Sequence, residues 1–412
     1  MTPRTLAIDF GTSNSAAAIV AEGRPRRLMI EPGADTLPTA VFFPEDRSAM
    51  RIGAAAAEAL IAGEDGRYMR ALKSVLGTAL FHESRMIGGR RRSLAEIVTE
   101  FLAEMKARAE ADAGGRFDAV LSGRPVHFHT KDEARDAQAE ADLRACYHAA
   151  GFAEVDFLFE PEAAARASHG GAEGLGLIVD IGGGTSDFSV FRSTPSGAEI
   201  LASHGIRLGG TDFDHAVSMT HAMPLLGLGS ELRREFGEGL LPLPNALFVE
   251  LSTWATIPFL YTRDTERSIA EMLRLAVEPE KLRRLASVIR EHLGHDLAFA
   301  VERGKIAANG GQAAQIAMGL IEPGLAAPIT PGTLNAALVQ MREPLRMAMY
   351  QTLMMAQVSP AQISSVVLVG GSSLMALVAD EAGAVCPGAT QHRAEAFTAV
   401  VDGLALAAAA RG

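Results

Sequence analysis

Two periods of apolar and polar positions alternate along the 412-residue chain. Leu6-Ala7-Ile8 and Val366-Val367-Leu368-Val369 have strand length. The second reads as a strand buried on both faces, as parallel strands in α/β proteins are. Phe188-Ser189-Val190-Phe191 alternates with a period of two, the mark of a half-buried strand. Between Ser93 and Met105 the period changes. Leu94, Ile97, Val98, Phe101, Leu102 and Met105 share one helix face. Ser93-Leu94-Ala95-Glu96 is a capping box, in which hydroxyl and carboxylate satisfy amides of the first turn. A second helix is predicted over Asp132 to Ala150, with Gly151 as its stop. Arg393-Ala394-Glu395 to Ala410 reads as a closing helix. The mixture predicts an α/β fold.

A repeat organises these elements. Ile8-Asp9-Phe10-Gly11-Thr12-Ser13-Asn14-Ser15 is echoed by Val179-Asp180-Ile181-Gly182-Gly183-Gly184-Thr185-Ser186-Asp187. Each copy places an aspartate at the end of an apolar strand, then glycine, then Thr-Ser. The two aspartates stand 171 positions apart, so the halves would be of similar size and would bring both loops to one ligand. Glycine lets backbone N–H groups approach a phosphate, and a nest of such amides cradles an anion. Thr12, Ser13, Thr185 and Ser186 add hydroxyl donors. Asp9 and Asp180 do not suit bare phosphate, but they suit a hydrated Mg²⁺ between carboxylates and phosphates. The plain alternative is a pair of ordinary β-turns rich in glycine and serine.

The segments after the two loops exclude commoner phosphate binders. A P-loop needs Gly-Lys-Ser/Thr opening a helix, and a dinucleotide fingerprint also needs a helix after its glycines. Ala16-Ala17-Ala18-Ile19-Val20 and Phe188-Ser189-Val190-Phe191 stand there instead, so each loop reads as a β-hairpin tip.

Composition narrows the class further. At roughly 100–200 residues per domain the length allows two or three domains. The formal charge of −11 argues against nucleic acid or an anionic membrane as partner. Cys146 and Cys386 cannot form a disulfide framework and read as small buried apolar residues of a reducing compartment. Leu6-Ala7-Ile8 is too short for a signal-peptide core, and prolines and Glu250 interrupt the apolar stretch Leu240 to Tyr261. The expectation is a cytoplasmic protein with no membrane partner.

Tandem hairpin loops of this kind resemble the actin/Hsp70/sugar-kinase superfamily. Further segments resemble Hsp70-type ATPases: Ala71-Leu72-Lys73-Ser74-Val75-Leu76-Gly77, Glu160-Pro161-Glu162-Ala163-Ala164-Ala165 and Leu208-Gly209-Gly210-Thr211-Asp212-Phe213-Asp214. Val301-Glu302-Arg303-Gly304-Lys305 and Leu368-Val369-Gly370-Gly371-Ser372-Ser373 complete the series, in the family's order from about Leu6 to about Ala410. Short bacterial Hsp70-like proteins of the YegD type are the nearest likeness. The resemblance implies an actin-like fold of two related lobes, 1–172 and 173–388, around a nucleotide cleft, with the helix in 389–412 returning to the first lobe.

It also implies roles. Asp9, Asp180 and Asp187 would organise Mg²⁺. Lys73 would offset charge on the γ-phosphate and the attacking water, Glu160 would orient that water, and Thr185 would bond the γ-phosphate. Nucleotide contacts would come from Gly11, Thr12, Ser13, Asn14, Gly182, Gly183, Gly184, Gly209 and Gly210 around the phosphates. Glu302 and Lys305 would lie at the ribose, and Gly370, Gly371 and Ser372 at the adenosine. Read from the residues alone, Lys73 could be a solvated helix lysine, Glu160 an aid to the helix start before Pro161, and Glu302 with Lys305 an i,i+3 pair.

Departures from the family pattern carry their own expectations. The two arginines that stack on adenine are replaced by Leu374 and Ile306, which implies weaker or less base-selective nucleotide binding. Only about forty residues follow Ser373, so a peptide-binding domain is not expected. His127-Phe128-His129 reads as strand with ordinary surface or core histidines, and Arg85 with Arg90-Arg91-Arg92 as a solvated basic loop. Leu225 to Arg290 carries no family motif. The leading expectation is Mg²⁺-dependent, slow ATP hydrolysis, with ATP/ADP as ligand and client or co-chaperone proteins as partners. A sugar or metabolite kinase of the same superfamily, and a non-enzymatic nucleotide-dependent scaffold or actin-like polymer, are the alternatives.

Overall fold

Both Asp-Gly-Thr-Ser loops are hairpin tips in the computed structural model, which describes residues 4–62, 64–129, 132–167, 174–194, 197–254, 256–393 and 398–411. Thr5–Phe10 pairs antiparallel with Asn14–Ala21, and Gly174–Ile181 with Ser186–Thr194. Each hairpin then belongs to a sheet of the same plan. In the first sheet, Thr5–Phe10 is flanked by the parallel strands Ala119–Arg124 and Glu154–Phe159, and Asn14–Ala21 by antiparallel Arg24–Arg27. In the second, Gly174–Ile181 is flanked by the parallel strands Ile363–Val369 and Thr390–Arg393, and Ser186–Thr194 by antiparallel Gly197–Ile206. The sequence repeat is therefore a repeat of topology. Val366–Val369 lies between two parallel neighbours, which is why its apolar run is unbroken.

The strand period sorts side chains between two cores. Leu6 and Ile8 of the first strand face a core built with the helices Leu94–Ala113 and Glu133–Ala149. Ser93 and Glu96 make both bonds of the capping box, and Asp132 caps the second helix through the Arg135 amide. Ala7, Ala16 and Ala18 face the other way, into a core shared with Ile178, Phe191, Val367 and Val369 of the second sheet. Helices Glu160–Ala167 and Ala399–Arg411 fill that core through Ala163, Ala164, Ala165, Val401 and Leu404. Small residues are needed here because the backbones nearly touch. A Cβ on Gly403 would lie 1.7 Å from the Ala163 carbonyl oxygen.

Two compact units result, Met1–Gly209 with Glu343–Gly412, and Gly210–Arg342. Both sheets fall in the first unit, where lobes of 1–172 and 173–388 were expected. The expected boundary at 168–173 lies outside the described residues, as do residues 394–397 at the start of the expected closing helix. Helix Ala399–Arg411 lies against the strands Thr5–Phe10 and Asn14–Ala21. The second unit is mostly helical. It includes Gly210–Val217, Arg263–Leu275, Pro279–Arg290 and Gly294–Asn309, with short hairpins at Glu231–Arg233/Leu240–Pro242 and Ala314–Ala317/Ala326–Ile329. Among the described residues no helix is long and apolar enough to cross a membrane.

Two local expectations are corrected. Arg85–Ile87 and Arg90–Arg92 form a hairpin instead of a loop; Arg85, Arg90 and Arg91 are solvated as expected, but Arg92 is buried against Glu100 at 2.6 Å and over the Phe43 ring. His127 and His129 come after the end of the strand Ala119–Arg124 and lie in irregular backbone, because Pro125 cannot donate to the ladder. Cys146 and Cys386 are free and buried, as expected.

The Gly403 contact gives a test. Gly403→Ala should destabilise the chain by about 1–3 kcal/mol, the usual range for overpacking, in urea denaturation. Gly388→Ala, where an added Cβ meets nothing within 4 Å, should change stability by less than about 0.5 kcal/mol.

Candidate functional site

The two hairpin tips meet. A Cβ on Gly183 would lie 2.7 Å from the Ser13 hydroxyl and 3.4 Å from the Thr12 methyl, so only glycine lets the loops abut here. Each tip is closed by local bonds. Gly182 N–H donates to Thr185 O at 2.9 Å, and the Ser13 carbonyl accepts from Thr39 N–H at 2.9 Å. Gly11, Thr12, Ser13, Asn14 and Gly182, Gly183, Gly184, Thr185 are all partly accessible, with the neighbouring strand residues buried beneath them. Ser186 is instead turned inward, donating to Leu208 O at 2.6 Å, which ties the chain before Gly209 to the second hairpin. A Cβ on Gly209 would fall 2.6 Å from the Gly184 amide nitrogen. At the end of Ile363–Val369, Gly370 adopts φ 82° beside Asp180, and Gly371–Leu374 makes one 3-10 turn.

Beneath the tips lies a cluster of charge. Lys73, in the 3-10 turn Leu72–Val75, bonds Glu160 at 2.6 Å, and its side chain is only 8% exposed. A solvated helix lysine is thereby excluded. Glu160 is the first residue of helix Glu160–Ala167, directly after the strand Glu154–Phe159. Asp9, the last residue but one of its strand, lies opposite Ala16, and Asp180 faces Asp187 across the second hairpin. Asp180 and Asp187 are buried, and Asp187 Oδ1 has no hydrogen-bond partner.

The electrostatics come from one ammonium among four carboxylates. Burial, then the Glu160 charge, raises Asp9 to about 7, with Lys73 opposing. Burial and the charges of Glu160, Asp187 and Asp9 hold Asp180 well above the ordinary carboxylate range. Asp187 rises to about 8 through burial and Glu160, against Lys73, a Val126 backbone hydrogen bond and Arg124. Burial works against the Lys73 charge, but Glu160, Asp9 and Asp187 outweigh it and raise its pKa. Charge excess of this kind, with an unpartnered carboxylate oxygen, fits a cation. Among the described residues no three ligand side chains converge as a dedicated cage would. The donor set therefore suits Mg²⁺, which keeps several waters and takes one or two carboxylates.

The remaining expected residues lie elsewhere. Lys305 pairs with Asp214 at 2.7 Å in a buried ion pair of the second unit, with Glu302 on the same helix. Leu374 is 38% and Ile306 60% exposed, each in its own unit. Sequence reading missed the Asp214 pairing and the approach of Val126 and Arg124 to Asp187. Their signal was a lone arginine before proline at a strand end.

A family model described as Hsp70 protein matches residues 83–224. The chaperone protein HscA homolog of Pseudomonas paraeruginosa PA7 is 36% identical over 231 residues, covering 51% of this chain and 36% of its own. The Pseudomonas aeruginosa PAO1 homolog is 32% identical over 308 residues, covering 69% and 48%. That of Burkholderia pseudomallei K96243 is 33% identical over 299 residues, covering 65% and 46%. The chain thus spans less than half the length of these curated relatives. Over these stretches the chain is similar to Hsp70 protein and to HscA homologs.

The acid cluster makes stability depend on pH. Asp9 and Asp187 bind protons more tightly folded than at their ordinary 3.8, so their contribution is present below that value and lost as pH rises through about 7 and about 8. Melting temperature of the ligand-free chain should fall between pH 5 and pH 9. Asp187→Asn should flatten that slope and raise the melting temperature at pH 8.5. An equally steep slope in the variant would contradict the assignment.

Proposed function

We propose that this chain binds ATP with Mg²⁺ at the paired hairpin tips and hydrolyses it slowly, as an Hsp70-type ATPase. The observation that carries the reading is the buried Lys73–Glu160 pair among Asp9, Asp180 and Asp187, directly under two abutting Gly-Thr-Ser loops. Amides of Gly11, Gly183 and Gly184 cradle phosphate oxygens, with Gly182 holding the tip closed through Thr185 O and Thr12, Ser13, Asn14 and Thr185 adding side-chain donors. Gly209 borders the second of these loops. Mg²⁺, when bound, offsets charge on the β- and γ-phosphate oxygens.

The chain's own groups do the positioning. Asp9, Asp180 and Asp187 would hold the cation and its waters. Glu160 orients a water toward the γ-phosphorus by accepting a hydrogen bond from it. The water oxygen forms the new P–O bond as the bond to the ADP oxygen breaks. Lys73 holds charge on the entering oxygen, and Thr185 bonds a γ-phosphate oxygen. A Lys–Glu pair poised for water, with no second hydroxyl substrate implied, favours hydrolysis over transfer to a sugar. On the nucleoside side, Gly370, Gly371 and Ser372 approach adenosine. Chaperone partners belong to this proposal through the relatives' names, and the client is left to experiment.

Phosphate release tests the site. Lys73→Ala and Asp180→Asn should each lower turnover of ATP by about 10²-fold or more, the scale of losing one preorganised charged group. Undiminished turnover in both variants would remove the assignment, and phosphate transfer appearing only with added sugar would favour a kinase.

Base recognition gives a second test. With Leu374 and Ile306 in the place of stacking arginines, calorimetry should show ATP preferred over GTP only weakly. Leu374→Arg or Ile306→Arg should tighten ATP by about 2- to 30-fold, since a cation–π contact contributes about 0.5–2 kcal/mol. Strong rejection of GTP by the parent chain would count against the idea.

A further inference from the structure

Arg124 ends the strand Ala119–Arg124, where its register partner is Phe159, the residue before Glu160. Its guanidinium lies over the rings of Phe159 and Phe128, 5.2 and 5.3 Å from their centroids. All its nitrogens are engaged. Nε donates to Pro125 O at 3.1 Å, Nη2 to Asp136 Oδ2 at 3.2 Å and Val126 O at 3.4 Å, and Nη1 to Glu140. Asp136 in turn accepts the His129 N–H at 3.0 Å. The backbone from 124 to 129 is thus pinned at both ends by one planar cation, whose fork matches two carboxylates and two carbonyls at once.

That pinned segment touches three parts of the acid cluster. Val126 N–H bonds Asp187. His129 Nε2 lies 2.7 Å from the carbonyl of Leu76, three residues beyond Lys73. Arg124 itself packs on the residue that precedes Glu160. We propose that Arg124 is a positioning residue for hydrolysis, setting Lys73, Glu160 and Asp187 relative to one another through the 124–129 segment. It touches no reacting atom. The inference rests on the ATPase reading for its kinetic consequence, but not for its geometric one.

The expected kinetic signature is a split. Misplacing reacting groups by about 1 Å costs up to about 10²-fold in rate. Arg124→Gln should therefore lower kcat by about 10- to 100-fold, while KM and the calorimetric Kd for ATP stay within about 3-fold at unchanged binding stoichiometry. Arg124→Lys keeps the charge but not the planar fork, and should recover less than about 3-fold of the loss. Amide exchange supplies the geometric readout without nucleotide. In Arg124→Gln, amides of residues 126–129 and 72–77 should exchange at least about 10-fold faster, with those of Ile363–Val369 unchanged.

Full kcat in the glutamine variant, or full recovery by lysine, would overturn the proposal. So would uniform acceleration of exchange with a general loss of ATP binding, which would mark plain fold support. If the parent chain releases no phosphate while the local exchange pattern holds, the ATPase reading fails and the positioning geometry stands.

Discussion

A buried ammonium costs several kcal/mol of lost hydration unless paired with well-placed carboxylates, and removing one partner of such a pair is strongly destabilising. Lys73 meets that cost through Glu160 at 2.6 Å and the flanking charges of Asp9 and Asp187. Those partners come from both halves of the repeat. Asp9 stands on the first hairpin, Asp180 and Asp187 on the second, and Glu160 on the helix between them. The ion pair therefore demands that two sheets and one helix be held together at close range.

The small-residue core answers that demand. Helix Glu160–Ala167 carries the carboxylate at its first residue and Ala163, Ala164 and Ala165 on its buried face. Its axis is fixed by the approach of Gly403, where even a methyl group has no room. A carboxylate at a helix N-terminus is also favoured by the helix dipole, by about 0.3–1 kcal/mol. Packing and electrostatics thus place Glu160 by the same few residues. A larger side chain at Gly403 would displace the helix that holds Glu160.

What was legible in the sequence was whatever depends on near neighbours. The hairpin tips are read from Asp-x-Gly ahead of alternating strands, the cap of Leu94–Ala113 from Ser93 and Glu96, and the buried strand from Val366–Val369. Lys73 was legible as a motif but not as a buried group, because its partner lies 87 residues away. Lys305 and Arg124 escaped for the same reason, since Asp214 and Phe159 become neighbours only through helix packing or strand register. The alanine-rich core shared by both sheets was not legible, because its residues meet only after the sheets pack.

The family match runs from residue 83 to residue 224, so it takes in Glu160, Asp180 and Asp187 but neither Asp9 nor Lys73. Geometry joins those two to the matched stretch. Four carboxylates around one ammonium leave an excess of negative charge that the folded chain tolerates by protonating Asp9 and Asp187 near neutral pH. A divalent cation would replace those protons, so its binding would be driven partly by relief of repulsion already stored in the fold. Under the proposed function, a cation and its phosphates would complete that charge balance.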